Sequence, residues 1–181
     1  MRPAERARCA ANLANLSTPA GLLVAAAGGA RARRAGRGLL VAHGYRLPVP
    51  AAAAFTVGNV VILRAGLVPG RDPIGAIPPR LLRHEERHAT QYALCGGIVM
   101  PLLYLGAAGW SWLRTGDFHS RNAFERRAGL ADGGYREAAV RPVRDALRAA
   151  PRAGRGTAWD SGGPARPHAQ SGAMARRGAR M

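Results

Sequence analysis

Lysine is absent from this chain and acidic residues are scarce. All 27 basic side chains are arginine, against 10 Asp and Glu, which gives a formal net charge of +17 over 181 residues. Without lysine or phosphate-loop spacing, the basic glycine-rich stretch GGARARRAGRG at 28–38 is not a nucleotide site. Cysteine is almost missing as well. Cys9 and Cys95 are far apart and form neither a CxxC pair nor a Cys/His cluster, so reduced thiols are expected, not a disulfide framework. Only 6% of residues are aromatic, and they are not interleaved with the arginines as a base-stacking platform would need. No secretory signal is visible. The first 15 residues are charged and polar, and the apolar stretch at 19–30 is too short to span a bilayer. A cytoplasmic or membrane-associated bacterial protein is expected.

Apolar residues make up 48% of the chain, enough for a core. The length suits one domain, placed at 1–150 with its core at 38–150. Part of the arginine excess follows the Ala/Gly/Pro-rich bias of a GC-rich coding sequence. The charge is still physical at the surface, where it favours anionic lipid, nucleic acid or acidic protein. Residues 151–181 are Gly, Ala, Arg, Pro and Ser with few large apolar side chains, which predicts a disordered basic tail.

The composition pattern predicts an α+β domain. Residues 1–36 read as a helical or irregular entry with a basic end. GLLVAHGYR at 38–46 and AFTVGNVVILRAG at 54–66 read as strands, expected to pair as an antiparallel ribbon, with Gly58-Asn59 as a bulge or turn. A loop over 67–79 leads to a helix opening at Pro79 and ending near Gly96-Gly97. A short helix follows at Asn122 to Gly129. Residues 136–150 read as a helix bent or broken around Pro142. His43 is expected to be an ordinary strand or turn histidine.

Tyr92 to Leu113 contains 22 residues without a charge, long enough to cross a bilayer. Five glycine and proline positions interrupt it, and arginines flank both ends, so charge gives no orientation. Two readings stand: a buried hairpin or core helix, or a segment that associates with or enters a membrane.

The stretch LLRHEERHATQY at 81–92 carries the chemistry. His84 and His88 lie one helical turn apart on the same face and can point at one metal ion. Imidazole nitrogen suits zinc. Glu85, one step along, stands beside the ion instead of on it, where it can take a proton from water and pass it to a leaving amine. With 5 His and 5 Glu in the chain, chance supplies on the order of 0.004 such HExxH matches. The competing reading is a solvated polar face held by pairs such as Glu86 with Arg83.

Catalytic zinc needs a third protein ligand. A third His shortly after His88 is missing, because Gln91 and Leu94 hold those places, so the metzincin pattern is excluded. NAFERRAG offers Glu125, with the small Ala128 three residues on to allow close helix packing. Alternatively Asn122 and Glu125 form a capping box, and Glu125 then reaches its own helix start. His119 and Asp117 are the reserve ligands.

HEERH followed by ERRA resembles the gluzincin zinc metallopeptidases, whose signature is HExxH with a downstream Glu-x-x-Ala helix. It is closer still to small, minimal gluzincin-like bacterial proteins with HExxHxxQ, where Gln91 supplies the Gln. The resemblance covers roughly 80–130. It implies a zincin-like minimal fold with an active-site helix and a Glu-bearing helix. It also implies one zinc ion on His84, His88 and Glu125, with Glu85 as general acid/base, and a peptide or protein substrate. FTVGNVVIL would match the edge strand that lies against substrate. Peptidases of this group add a Tyr or His that stabilises the oxyanion; Tyr104, His119 and Tyr135 are the candidates. At 181 residues the chain is shorter than a full peptidase, and a second domain forming the far wall of a cleft is not expected.

Two functions follow. One is a zinc-dependent metallopeptidase. The other is a basic, non-catalytic binding module for nucleic acid or an anionic membrane surface, supported by charge but by no recognisable nucleic-acid fold motif.

Overall fold

A computed structural model of the chain describes residues 1–67, 74–75 and 77–148. The tail expected at 151–181 and part of the loop expected at 67–79 lie outside the described residues. The fold is α+β. In chain order the elements are α1 (Pro3–Ala14), α2 (Ser17–Ala27), β1 (Arg31–Arg34), β2 (Leu40–Tyr45), β3 (Ala54–Val57) and β4 (Val60–Arg64). The helices α3 (Pro79–Leu94), α4 (Val99–Thr115), α5 (Ala123–Ala128) and α6 (Val143–Arg148) follow. The entry at 1–36 is therefore two helices and a strand.

The four strands form one mixed sheet in the order β1-β2-β4-β3. The expected antiparallel ribbon is corrected here. Residues 54–66 hold two strands, which fold on themselves at Gly58-Asn59 with Val57 opposite Val60. The strand at 38–46 pairs with the second of these in parallel, Val41 opposite Val61. The reason lies at the turn. Gly58 has φ +60, and a Cβ there would lie 2.4 Å from Thr18 N, so only glycine lets the turn seat on the start of α2. Asn59 then donates from its backbone N–H to Thr18 Oγ1 at 3.1 Å and accepts from Asn12 Nδ2 at 3.0 Å.

Both faces of the sheet are covered, which explains an unbroken apolar run at 60–63. Val41, Val61 and Leu63 pack with Leu81 and Ala89 of α3 on one face. Ala42, Val60 and Ile62 pack with Ala25 of α2 on the other. α1 lies along α3, fixed by Asn12 Nδ2 donating to Ala89 O at 2.8 Å and by Arg8 with Glu86 at 3.0 Å. Glu86 also pairs with Arg37 at 2.9 Å. The Glu86–Arg83 pair of the competing solvated-face reading does not form, because Glu86 faces α1, while Arg83 lies toward Asp132. Cys9 and Cys95 are free thiols.

α3 opens on Pro79, whose missing N–H costs nothing at the first helical position. Gly96 and Gly97, both at positive φ, end it. The uncharged run 92–113 is thereby split between the end of α3 and α4, which are bent by 116°. Among the described residues no single helix is long and apolar enough to cross a membrane. α4 is not a core helix either, since only Met100, Ala108 and Ser111 are buried on it. Residues 136–142 are not helical, in contrast to the bent helix expected there; α6 starts only after Pro142, which disfavours helical backbone before it.

Candidate metal centre

α3 turns His84, Glu85 and His88 into the protein, and all three are buried. The two imidazole Nε2 atoms face each other at 3.0 Å. α5 brings Glu125 to the same point, also buried. Its Oε2 lies 3.2 Å from His84 Nε2 and its Oε1 3.7 Å from His88 Nε2. The three ligand atoms all fall within 4.8 Å of one another, the one such group of metal-binding side chains among the described residues. The capping reading of Glu125 fails. Asn122 Oδ1 caps α5 by accepting from Phe124 N at 2.9 Å, and the Glu125 carboxylate turns inward. Ala128 is fully buried, and its carbonyl accepts from Arg87 Nη1 at 2.6 Å, which ties α5 to α3.

The hydrogen bonds around the imidazoles determine where their protons sit. His84 Nδ1 is 3.1 Å from Gly129 O, a carbonyl that can only accept, so Nδ1 carries the hydrogen. Gln91 Nε2 donates to Phe124 O at 2.9 Å, which leaves Gln91 Oε1 as acceptor for His88 Nδ1 at 2.8 Å. In both neutral rings Nε2 is therefore a bare lone pair. Two lone pairs and a carboxylate converge with no hydrogen between them. Glu125 Oε2 is buried and receives no hydrogen bond, although His84 Nε2 is close. A cation, either an extra proton or a metal ion, satisfies all three acceptors at once. The donor set, two neutral imidazoles and a carboxylate, fits a divalent metal.

The electrostatics of the pocket agree. Burial alone would push the Glu125 carboxyl up, but the imidazoles of His84 and His88, when one takes up an extra proton, outweigh it and hold the carboxyl well below the usual range. Burial likewise pushes His88 down, and the Glu125 hydrogen bond with the charges of Glu85 and Glu125 raises it above 6.5 on balance. The pocket favours positive charge next to Glu125.

Other groups hold these residues in place. Tyr104 of α4 donates to Glu125 Oε1 at 2.5 Å. Thr56 of β3 donates to Glu85 Oε2 at 2.7 Å. Gly133 lies so near His84 that an added Cβ would meet its Cε1 at 2.5 Å. Sequence reasoning missed Thr56, Gly129 and Gly133. The paired glycines of ADGGY at 131–135 are the local signal that could have pointed there, a tight turn beside the helix end; Thr56 offers none.

The remaining expectations divide. Of the oxyanion candidates, Tyr104 is engaged with Glu125. Tyr135 lies beside His84, ring centres 6.1 Å apart, and stacks on His119 at 4.0 Å. Burial pushes its hydroxyl pKa far up. The reserve ligands stay outside the cluster. Asp117 Oδ1 accepts from the backbone of His119 and Ser120 at 2.9 and 2.7 Å, building the loop, and its other oxygen lies 3.7 Å from His119 Nδ1. Of FTVGNVVIL, only the first strand is at the sheet edge; Val60–Leu63 is interior. Comparison with protein-family models, curated proteins and solved structures gives no match, so the site's own geometry is what speaks for its function.

Proposed function

We propose that this protein is a zinc-dependent hydrolase of the gluzincin-like kind, acting on peptide bonds. The observation that carries the reading is the meeting of two bare imidazole nitrogens and an unbonded carboxylate oxygen beside a second buried carboxylate, Glu85. His84, His88 and Glu125 would hold the zinc ion. When bound, the ion supplies Lewis acidity and eases deprotonation of water at neutral pH. Zinc is favoured over harder cations because two of three ligands are imidazole.

The chain's own groups do the rest. Glu85 takes a proton from the attacking water and returns it to the leaving amine. Thr56 ties down one Glu85 oxygen and leaves the other for that transfer. Gln91 and the Gly129 carbonyl keep both imidazoles oriented with Nε2 inward. Tyr104 supports Glu125. Tyr135, next to His84, is the group best placed to donate a hydrogen bond to the developing oxyanion.

Metal analysis of the purified protein should find close to one equivalent of zinc, lost in His88→Ala. Glu85→Gln should keep the metal and lose turnover of a mixed peptide library by roughly a hundredfold or more. A protein that takes up no transition metal ends this reading, and full turnover in Glu85→Gln removes Glu85 from it.

A further inference from the structure

The outward face of α4 and its lead-in carries Ile98, Val99, Leu102, Leu103, Leu105 and Trp110, all exposed. Leu102 is 69% exposed and Trp110 is 54%. The other exposed positions from 98 to 110 are Gly106 and Gly109, so this face has no polar side chain. A surface helix ordinarily turns its polar side to water. α2 repeats the anomaly. Leu13, Leu16, Leu22 and Leu23 are exposed around it, and its remaining exposed positions are alanine.

The corners at which these two helices begin meet. Asn15, between α1 and α2, donates from Nδ2 to Tyr92 O at 3.3 Å, and a Cβ on Gly97 would fall 2.7 Å from Asn15 O. The α1–α2 corner is therefore seated on the α3–α4 corner. Leu16 and Leu13 project beside one, Leu94 and Ile98 beside the other, all exposed. Leu16 does so from φ +62, a left-handed backbone that leucine rarely adopts.

Charge identifies what covers this surface. No acidic residue occurs between Glu5 and Asp72, or between Glu86 and Asp117, so both apolar helices lie in acid-free stretches. Each ends in arginine: exposed Arg31, Arg33 and Arg34 follow α2, and Arg114 closes α4 with its guanidinium 5.4 Å from the Trp110 ring. Arg83 and Arg87 lie 7 to 11 residues back from Leu94 on α3, about 10–16 Å along the axis, and share the single carboxylate of Asp132, which leaves one positive charge there. Among the described residues, Glu86, Asp132 and Glu137 are each already paired with two arginines. A second copy would set +17 against +17. An anionic bilayer accepts the leucines into its acyl boundary and neutralises the arginines with its headgroups. Tryptophan beside arginine is the pairing suited to that boundary.

We infer that the paired corners and the outer face of α4 form an interfacial docking surface for an anionic lipid bilayer.

The test uses the full chain with vesicles of phosphatidylcholine alone or with phosphatidylglycerol. Co-sedimentation should be strong only with the anionic vesicles. Leu102→Gln with Leu105→Gln leaves the charge unchanged, and both residues are exposed, so folding should hold by circular dichroism. It should weaken binding roughly tenfold or more. Brominated acyl chains should quench tryptophan fluorescence, and Trp110→Phe should remove most of that quenching. The inference is overturned if anionic vesicles do not bind the wild type. It is overturned equally if the double variant binds as well as wild type, since the arginines then suffice. A dimer at micromolar concentration that the double variant abolishes, without vesicle binding, assigns the surface to a second copy instead.

Discussion

Gln91 lies one turn beyond His88 and touches no candidate ligand atom, yet its two hydrogen bonds fix an imidazole. One ties it to the Phe124 carbonyl beside Glu125, the other sets the His88 tautomer. Gln91→Ala should leave the fold intact and weaken zinc affinity by about 10- to 100-fold, the usual cost of losing a group that orients a ligand. A chelator-competition titration measures it; unchanged affinity would mean His88 needs no such support. Residue-scale features of this kind were legible in part. The spacing of His84, Glu85 and His88 defines one helical face, so their convergence follows from periodicity alone. Gln91 was visible as part of the same helix, but not its tie to α5. Thr56 was illegible, because its bond to Glu85 spans 29 residues and depends on where the sheet edge meets α3.

Elements were harder to read where a glycine carries two meanings. Gly58 inside a Val/Ile-rich run was read as a bulge or turn, and the run was paired as one strand. The positive φ that makes it a hairpin also seats the turn on α2, a tertiary contact no local pattern reports. Gly58→Ala should cost about 2 kcal/mol or more of unfolding free energy, since it adds backbone strain and a clash with Ser17 and Thr18. Urea denaturation would show it, and a change below about 0.5 kcal/mol would contradict the account. Gly96-Gly97 worked the other way. Its stop signal at the end of α3 was plain, while the fate of the uncharged run beyond it was not. Length and charge do not distinguish a buried helix from one whose apolar side faces outward.

For the whole molecule, a metal ion held by His84, His88 and Glu125 would compete with protons for the same buried point. In the metal-free protein His88 titrates above 6.5. Its charged form therefore stabilises the fold fully below 6.5, and that contribution is lost as pH rises through the raised value. Zinc needs the neutral ring, so its contribution grows over the same rise. At a free zinc concentration a hundred times Kd the gain should be about 2.7 kcal/mol. The Tm difference between zinc-loaded and chelator-treated protein should therefore be large above that window and shrink toward zero below pH 6. A difference independent of pH would show that the metal is held elsewhere.

α4 faces two ways at once. One side is a bare apolar surface, and the other bears the Tyr104 hydroxyl that grips Glu125. A single rod thus joins what happens outside to the most deeply placed carboxylate. Any force that slides or tilts the rod moves the hydroxyl, and the carboxylate must follow or lose its partner. Were the inner point filled by a metal ion and the outer surface covered by a bilayer, any effect of the first on the second would be returned in equal measure.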